Sequence, residues 1–143
     1  MQLSRFTDYS LRVLFYVAVN TEKLATLAEI ADFYDISIEH LRKVVHALSK
    51  TGYLETFRGK NGGIRLKLKP EEINIGEVIV QAEGAGPIIN CAQQNCRLSG
   101  LCTLQGALGE AQKAFVDSLK RYTLADMLAD KPMQSSLIGT KQL

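Results

Sequence analysis

Cys91, Cys96 and Cys102 are the only cysteines in the 143-residue chain, and they fall within twelve residues in Cys-x4-Cys-x5-Cys spacing. Thiols gathered so closely suit soft-metal ligation or thiol–disulfide chemistry, because the thiolate is both nucleophile and metal ligand. An odd number leaves one sulfur over from any intramolecular pairing. A reducing cytoplasm also disfavours a structural disulfide. Three chemistries stay open. Zinc is one, although no Cys-x2-Cys knuckle occurs and neither His40 nor His46 is close in sequence. An iron–sulfur cluster tolerates looser spacing but often takes four thiolates, so a fourth ligand must come from outside the segment. A thiol-only sensor that joins two of the three cysteines is the last. Three plainly buried thiols fit the segment poorly, since it is polar and flanked by glycine.

A second set of residues suits nucleic acid. Arg58-Gly-Lys-Asn-Gly-Gly63 is basic and glycine-rich. Arg58, Lys60 and Asn61 at its tip can enter a minor groove or hold a phosphate backbone. Ser37, His40 and Lys43 lie near the start of an expected helix, the part of a reading helix that meets base edges. Thr26 and Ser37 stand at expected helix N-termini, where amides bind phosphate. Each charge alone reads equally well as a solvated side chain; together on one scaffold they point to DNA. The net charge of +2 is divided unevenly: residues 1–70 carry eleven Lys/Arg against seven Asp/Glu, and residues 71–143 carry six against eight. The basic half holds the reading pattern, which agrees with phosphate binding.

These residues need elements to position them. Leu11, Leu14, Phe15 and Ala18 recur at helical spacing, so residues 3–19 are expected to form a helix, with Thr7 or Asp8 as its cap. Thr26-Leu-Ala-Glu29 is a capping box, opening a short helix to about Tyr34. After a tight turn at Asp35-Ile36, Ser37 is expected to cap a helix through Lys50 that buries Leu41, Val44, Val45 and Leu48. Residues 53–57 and 64–68 read as strands of a hairpin wing, with Gly59, Gly62 and Gly63 supplying its turn and Pro70 stopping it. Asn74-Ile-Gly-Glu77 opens another helix, residues 88–102 look irregular, and a long helix is expected from about residue 101 to 121. Its apolar stripe, Leu104, Leu108, Ala111, Phe115, Leu119 and Tyr122, suits a two-fold dimer interface. Thr123 caps a final turn, and the polar tail after it is expected to be flexible. The fold class is therefore mainly α with a small β-hairpin wing. Its expected parts are a winged helix-turn-helix over 1–83, a cysteine loop over 84–102, a dimerisation helix and capping turn over 103–128, and a tail over 129–143.

A hydrophobic fraction of 46% can build a core, and a charged fraction of 22% is ordinary for a soluble protein. No apolar run is long enough to span a membrane, and the N-terminus lacks a signal-peptide layout, so a cytoplasmic location without membrane partners is expected.

Several motifs occur in order: Phe6-Thr-Asp-Tyr-Ser-Leu-Arg12, the capped reading helix, Gly52-Tyr-Leu, Arg58-Gly-Lys-Asn-Gly-Gly-Ile-Arg-Leu66, Ile75-Gly-Glu-Val78, the three cysteines, and Tyr122-Thr-Leu-Ala-Asp126. In these the chain resembles the iron–sulfur winged-helix transcriptional regulators of the NsrR/IscR family, over residues 1 to about 128. The resemblance is greatest to the nitric-oxide-sensing NsrR branch. The cysteine spacing matches, and Gln105 stands where the IscR branch has histidine. The resemblance implies a regulator rather than an enzyme: a homodimeric repressor of palindromic operator DNA, with nitric oxide as effector. It further implies one cluster per subunit, 4Fe–4S with 2Fe–2S as the alternative, held by Cys91, Cys96 and Cys102. Asp8 of the other subunit occupies the fourth-ligand position, although a plain helix cap also explains an aspartate there. A regulator of the IscR kind, responding to cluster supply, and a cluster-carrying electron-transfer protein are the competing readings.

Overall fold

The structure, a computed structural model, describes residues 1–138. Its elements are α1 (Arg5–Val19), α2 (Leu27–Tyr34), α3 (Ile38–Lys50), β1 (Leu54–Phe57), β2 (Gly63–Leu66), a single 3-10 turn (Pro70–Glu72), α4 (Ile75–Glu83), α5 (Thr103–Leu119), α6 (Leu124–Leu128) and α7 (Lys131–Ile138). The mainly α class with one small hairpin is as the sequence predicts.

α1 is the hub, packed by α3, α4, β2, α6 and α7. Its Val13 and Leu14 are fully buried, with Tyr16 and Val17 nearly so. The cap is Ser4, whose Oγ accepts from the Thr7 amide at 3.2 Å, rather than Thr7 or Asp8. Thr7 lies inside the first turn and is completely buried. Asp8 is therefore spared for other partners.

The capping box opening α2 is complete. Thr26 Oγ1 accepts from the Glu29 amide at 3.2 Å, and Glu29 Oε2 accepts from the Thr26 amide at 3.3 Å. Asp35, at φ 53°, makes the left-handed turn into α3. Leu41, Val44, Val45 and Leu48 form the buried face of α3, as the spacing requires. Ser37 holds the N-cap position but makes no side-chain cap bond, so the chain turn, not the hydroxyl, sets this helix start.

β1 and β2 pair antiparallel from Leu54↔Leu66 to Phe57↔Gly63. Ala25 extends the pairing: its amide donates to Ile64 O at 3.0 Å, and the Ile64 amide donates to Ala25 O at 2.7 Å. This ties the wing to the start of α2. Only one of the three hairpin glycines is needed for an unusual φ, Gly59 at +99°. Gly62 and Gly63 serve close approach instead. A Cβ would stand 2.2 Å from Phe57 O at the first and 2.6 Å from Ala25 O at the second.

Asn74 caps α4: its Oδ1 accepts from the Glu77 amide at 3.1 Å, while its Nδ2 donates to Lys120 O at 2.7 Å. That second bond locks the start of α4 to the end of α5. Gly76 allows the contact, since a Cβ there would lie 2.6 Å from the Lys120 amide nitrogen. α6 opens with a complete Thr123–Asp126 box and drives Leu124 into the core.

The span read as a flexible tail contains one further helix. Residues 131–138 are helical, and α7 packs on α1 through buried Leu137. The Asn20 side-chain amide donates to Leu137 O at 3.4 Å. Leu137 and Met133, one turn apart, supply the apolar face that a polar average conceals. The rest of that expectation falls on residues 139–143, outside the described residues.

Candidate nucleic-acid interface and cysteine loop

The reading head begins with α3. Its buried face fixes its rotation, so Ser37, His40 and Lys43 all point outward and are exposed. Arg42 and His46 share that exposed face, which sequence reasoning missed. The signal was available: Arg42 and His46 are polar positions off the stripe of four buried residues, so they fall on the outward side. Arg42 is turned toward Glu39 at 3.6 Å.

At the wing tip Arg58, Lys60 and Asn61 are exposed, held by a turn in which the Gly62 amide donates to Gly59 O at 3.0 Å. Behind the tip, Arg65 pairs with Glu55 directly across the ladder at 3.0 Å and lies over the Phe57 ring at 4.8 Å. Lys23 pairs with Glu29. Among the described residues, no ion pair involves Lys43, Arg58 or Lys60. Cations without carboxylate partners are the ones available to phosphate. Thr26 is half-buried with its hydroxyl and amide both used by Glu29, so it contributes the orientation of α2 before any contact of its own.

Asp8 sits on α1, beside this head. Its Oδ1 accepts from Arg12 Nε at 2.9 Å, and both side chains are partly exposed. The hydrogen bond to Asp8 raises the Arg12 pKa further above its ordinary value. The guanidinium lies over two rings, Tyr9 at 5.9 Å and Tyr34 at 5.7 Å. Tyr34 belongs to α2, and its hydroxyl donates to Arg12 O at 2.9 Å. Burial pushes the Tyr34 phenol up to about 12. Tyr9 in turn faces His40 on α3, ring centroids 6.2 Å apart. One carboxylate is thus linked through Arg12 and two tyrosines to both helices of the reading motif.

The cysteines occupy a run of turns between α4 and α5. All three are free thiols; Cys91 is buried at 7% exposure, Cys102 is half-buried at the N-cap of α5, and Cys96 is exposed. The Cys96 amide donates to Cys91 O at 3.3 Å, and the Ser99 amide donates to Cys96 O at 3.1 Å. Asn95 and Gly100, at φ 52° and 84°, allow the reversals. Among the described residues, no three His, Cys, Asp or Glu side chains stand close enough to share a metal ion. A single chain therefore brings the cysteines into one loop but does not bring Asp8 to them. The three soft thiols nevertheless have the chemistry that an iron–sulfur group needs from most of its ligands.

α5 buries none of its residues within the chain, leaving Leu104 59% and Phe115 41% exposed. No helix among the described residues is long and apolar enough to cross a membrane.

A helix-turn-helix pair, a basic wing and an outward reading face define a winged helix-turn-helix regulator. Residues 3–130 match the model of Rrf2, described as an iron-dependent transcriptional regulator. The chain belongs to the Rrf2 family. It is 43% identical to the HTH-type transcriptional regulator NsrR of Shouchella clausii, covering 99% of this chain and 97% of that one. It is 42% identical to NsrR of Bacillus subtilis, covering 99% of this chain and 100% of that one. The solved structure of T. potens IscR superposes with a TM-score of 0.70 at 25% identity, covering 91% of this chain and 88% of that one.

Proposed function

We infer that the protein is a homodimeric, nitric-oxide-responsive iron–sulfur repressor of palindromic operator DNA. The observation that carries this reading is a division of labour. Three free thiols are isolated in one loop, and Asp8, at the position the family resemblance gives to a fourth ligand, sits on the helix that supports the DNA reader. The similarity to NsrR relatives supports the same reading. Cys91, Cys96 and Cys102 would hold the group, 4Fe–4S or else 2Fe–2S, with Asp8 of the second subunit as fourth ligand. When bound, the cluster supplies iron at which nitric oxide reacts.

The chain's own residues provide the coupling. Asp8 would have two alternative engagements: Arg12 in its own helix, or the iron that the other subunit's cysteines would hold. Leaving Arg12 removes the anchor that holds the guanidinium over Tyr9 and Tyr34. Those rings touch α3 and α2, so the reading head feels the exchange without a separate relay. A 100-fold difference in DNA affinity between the two engagements requires about 2.7 kcal/mol of coupling, within the usual range for linked sites. α5 joins the subunits, setting two copies of α3 in successive major grooves roughly 34–36 Å apart. Such thiol chemistry belongs in the reducing cytoplasm.

The test is anaerobic purification with iron and sulfide analysis, followed by titration with nitric oxide monitored by absorbance and DNA binding together. Parallel loss of the cluster spectrum and of operator affinity is expected. Operator affinity that follows cluster content but ignores nitric oxide would favour the cluster-supply reading, which the likeness to T. potens IscR keeps in view. A cluster without DNA binding would leave electron transfer.

A further inference from the structure

Two glutamines on α5 hold the cysteine loop at both ends. Near its start, Gln112 Nε2 donates to Gly86 O at 2.9 Å. Near its end, the Gly100 amide donates to Gln105 Oε1 at 3.1 Å. The two side chains are seven residues apart, about two helical turns, so they share one face of α5. Both are half-buried on a helix with no fully buried residue. Among the described residues, the other hydrogen bonds of segment 85–101 run within the segment: Gln93 to Asn90, Cys96 to Cys91, Ser99 to Cys96 and Leu101 to Leu98. The segment closes on itself locally, but its attachment to the body through hydrogen bonds rests on these two amides.

The geometry at Gly100 is specific. Its φ of 84° is a left-handed conformation that a side chain would strain, and it lies between Cys96 and Cys102. The Gln105 acceptor fixes that reversal. Neither glutamine can serve as a soft metal ligand, and neither carries charge that would disturb thiolates. They are suited to holding the loop rather than to chemistry in it.

We propose that Gln105 and Gln112 are positioning residues that strap the cysteine loop onto α5. Release of this strap sets how readily small reagents, nitric oxide included, reach the sulfur set. The part concerning nitric oxide rests on the function proposed above; the strap itself does not. Because α5 also carries the exposed apolar stripe, the loop is braced by the same helix that meets the second subunit in that reading.

The experiment uses full-length, reduced, iron-free protein with iodoacetamide as the probe, and amide hydrogen exchange on the same samples. In Gln105→Ala the Gly100 amide should exchange about 3- to 10-fold faster, the effect of losing one ordinary hydrogen bond. Gln105→Glu keeps the acceptor oxygen and should retain the protection. In Gln105→Ala/Gln112→Ala the buried Cys91 thiol should alkylate faster by at least the single-variant factor, with the thermal unfolding midpoint unchanged. Alkylation of Cys91 within about twofold of wild type in the double variant, less than one hydrogen bond's worth, overturns the strap. So does a Gln105→Glu protein that exchanges like Gln105→Ala. A parallel arm follows iron loss to a chelator from anaerobically purified protein, expected to be faster in the double variant. Wild-type protein that holds no iron and sulfide would sink the cluster reading, while alkylation would still judge the strap.

Discussion

The Asp8–Arg12 pair sets the terms for any switch at this site. Both side chains are partly exposed, so the pair is worth at most about 1 kcal/mol. A carboxylate held that lightly can exchange partners at small cost. Asp8→Ala should still assemble a cluster on the three cysteines, with an altered visible spectrum and weakened cluster-dependent DNA binding. Mixed dimers sharpen the test, with one subunit carrying Asp8→Ala and the other Cys91→Ser. The intact cysteine set then belongs to the Asp8→Ala subunit and should give a wild-type-like spectrum, because in the proposed arrangement its aspartate comes from the other chain. A mutant-like spectrum would place the ligand in the same subunit. For DNA, Lys43→Ala and Arg58→Ala should each weaken binding, and each lost phosphate contact should flatten the salt dependence by about one unit. Unchanged affinity and slope would remove both from the interface. Tyr34 gives a pH signature. Its folded pKa of about 12 lies above the ordinary value of 10.0, so the neutral phenol is the favoured form in the folded protein. The associated stability is complete below pH 10 and declines as pH rises toward 12. Tyr34→Phe should reduce that alkaline decline and cost about 1 kcal/mol at neutral pH through the lost bond to Arg12 O. Urea unfolding at pH 7 and pH 11 separates the two effects.

Among the elements, α5 is the one whose sequence and environment disagree within the single chain. It is a 17-residue helix with an apolar stripe and no buried residue. Contiguous exposed apolar surface of this kind marks an interaction face, and a second copy of the same helix is the simplest complement by two-fold symmetry. Leu108→Glu should therefore give monomers in sedimentation velocity, with loss of high-affinity operator binding. A stable dimer with native affinity would locate the interface elsewhere. The other helices behave differently because each has a buried partner. α3 lays four residues into the core and turns its charged face outward. α6, only five residues long, is anchored by its capping box and by Leu124. The Thr26 and Thr123 boxes were legible because each is written in four consecutive residues. The Ser4 cap was missed because Thr7 and Asp8, both good cap types, lie just inside the helix and compete for the assignment.

Across the whole molecule, α7 tests how far the core extends. Leu137 is buried against α1, more than a hundred residues away in sequence. Leu137→Ala should lower stability by about 2 kcal/mol, the low end for a buried leucine. An unchanged urea midpoint would mean that residues 131–138 add little to the fold. The helix-turn-helix, the wing and the cysteine loop were all readable from the sequence, because their signals are local: caps, apolar spacing, turn residues and grouped thiols. Tertiary structure alone decided what depends on distant partners. It gave Gly63 its reason in the approach of Ala25, and Gly76 its reason in the approach of Lys120. It revealed the apolar face of a tail that looked merely polar. It joined Asp8 to both reading helices through Arg12, Tyr9 and Tyr34, and it bound the cysteine loop to Gln105 and Gln112. Side-chain type and spacing determine which contacts a segment can make; which of them it does make depends on what the folded chain brings within a few ångströms.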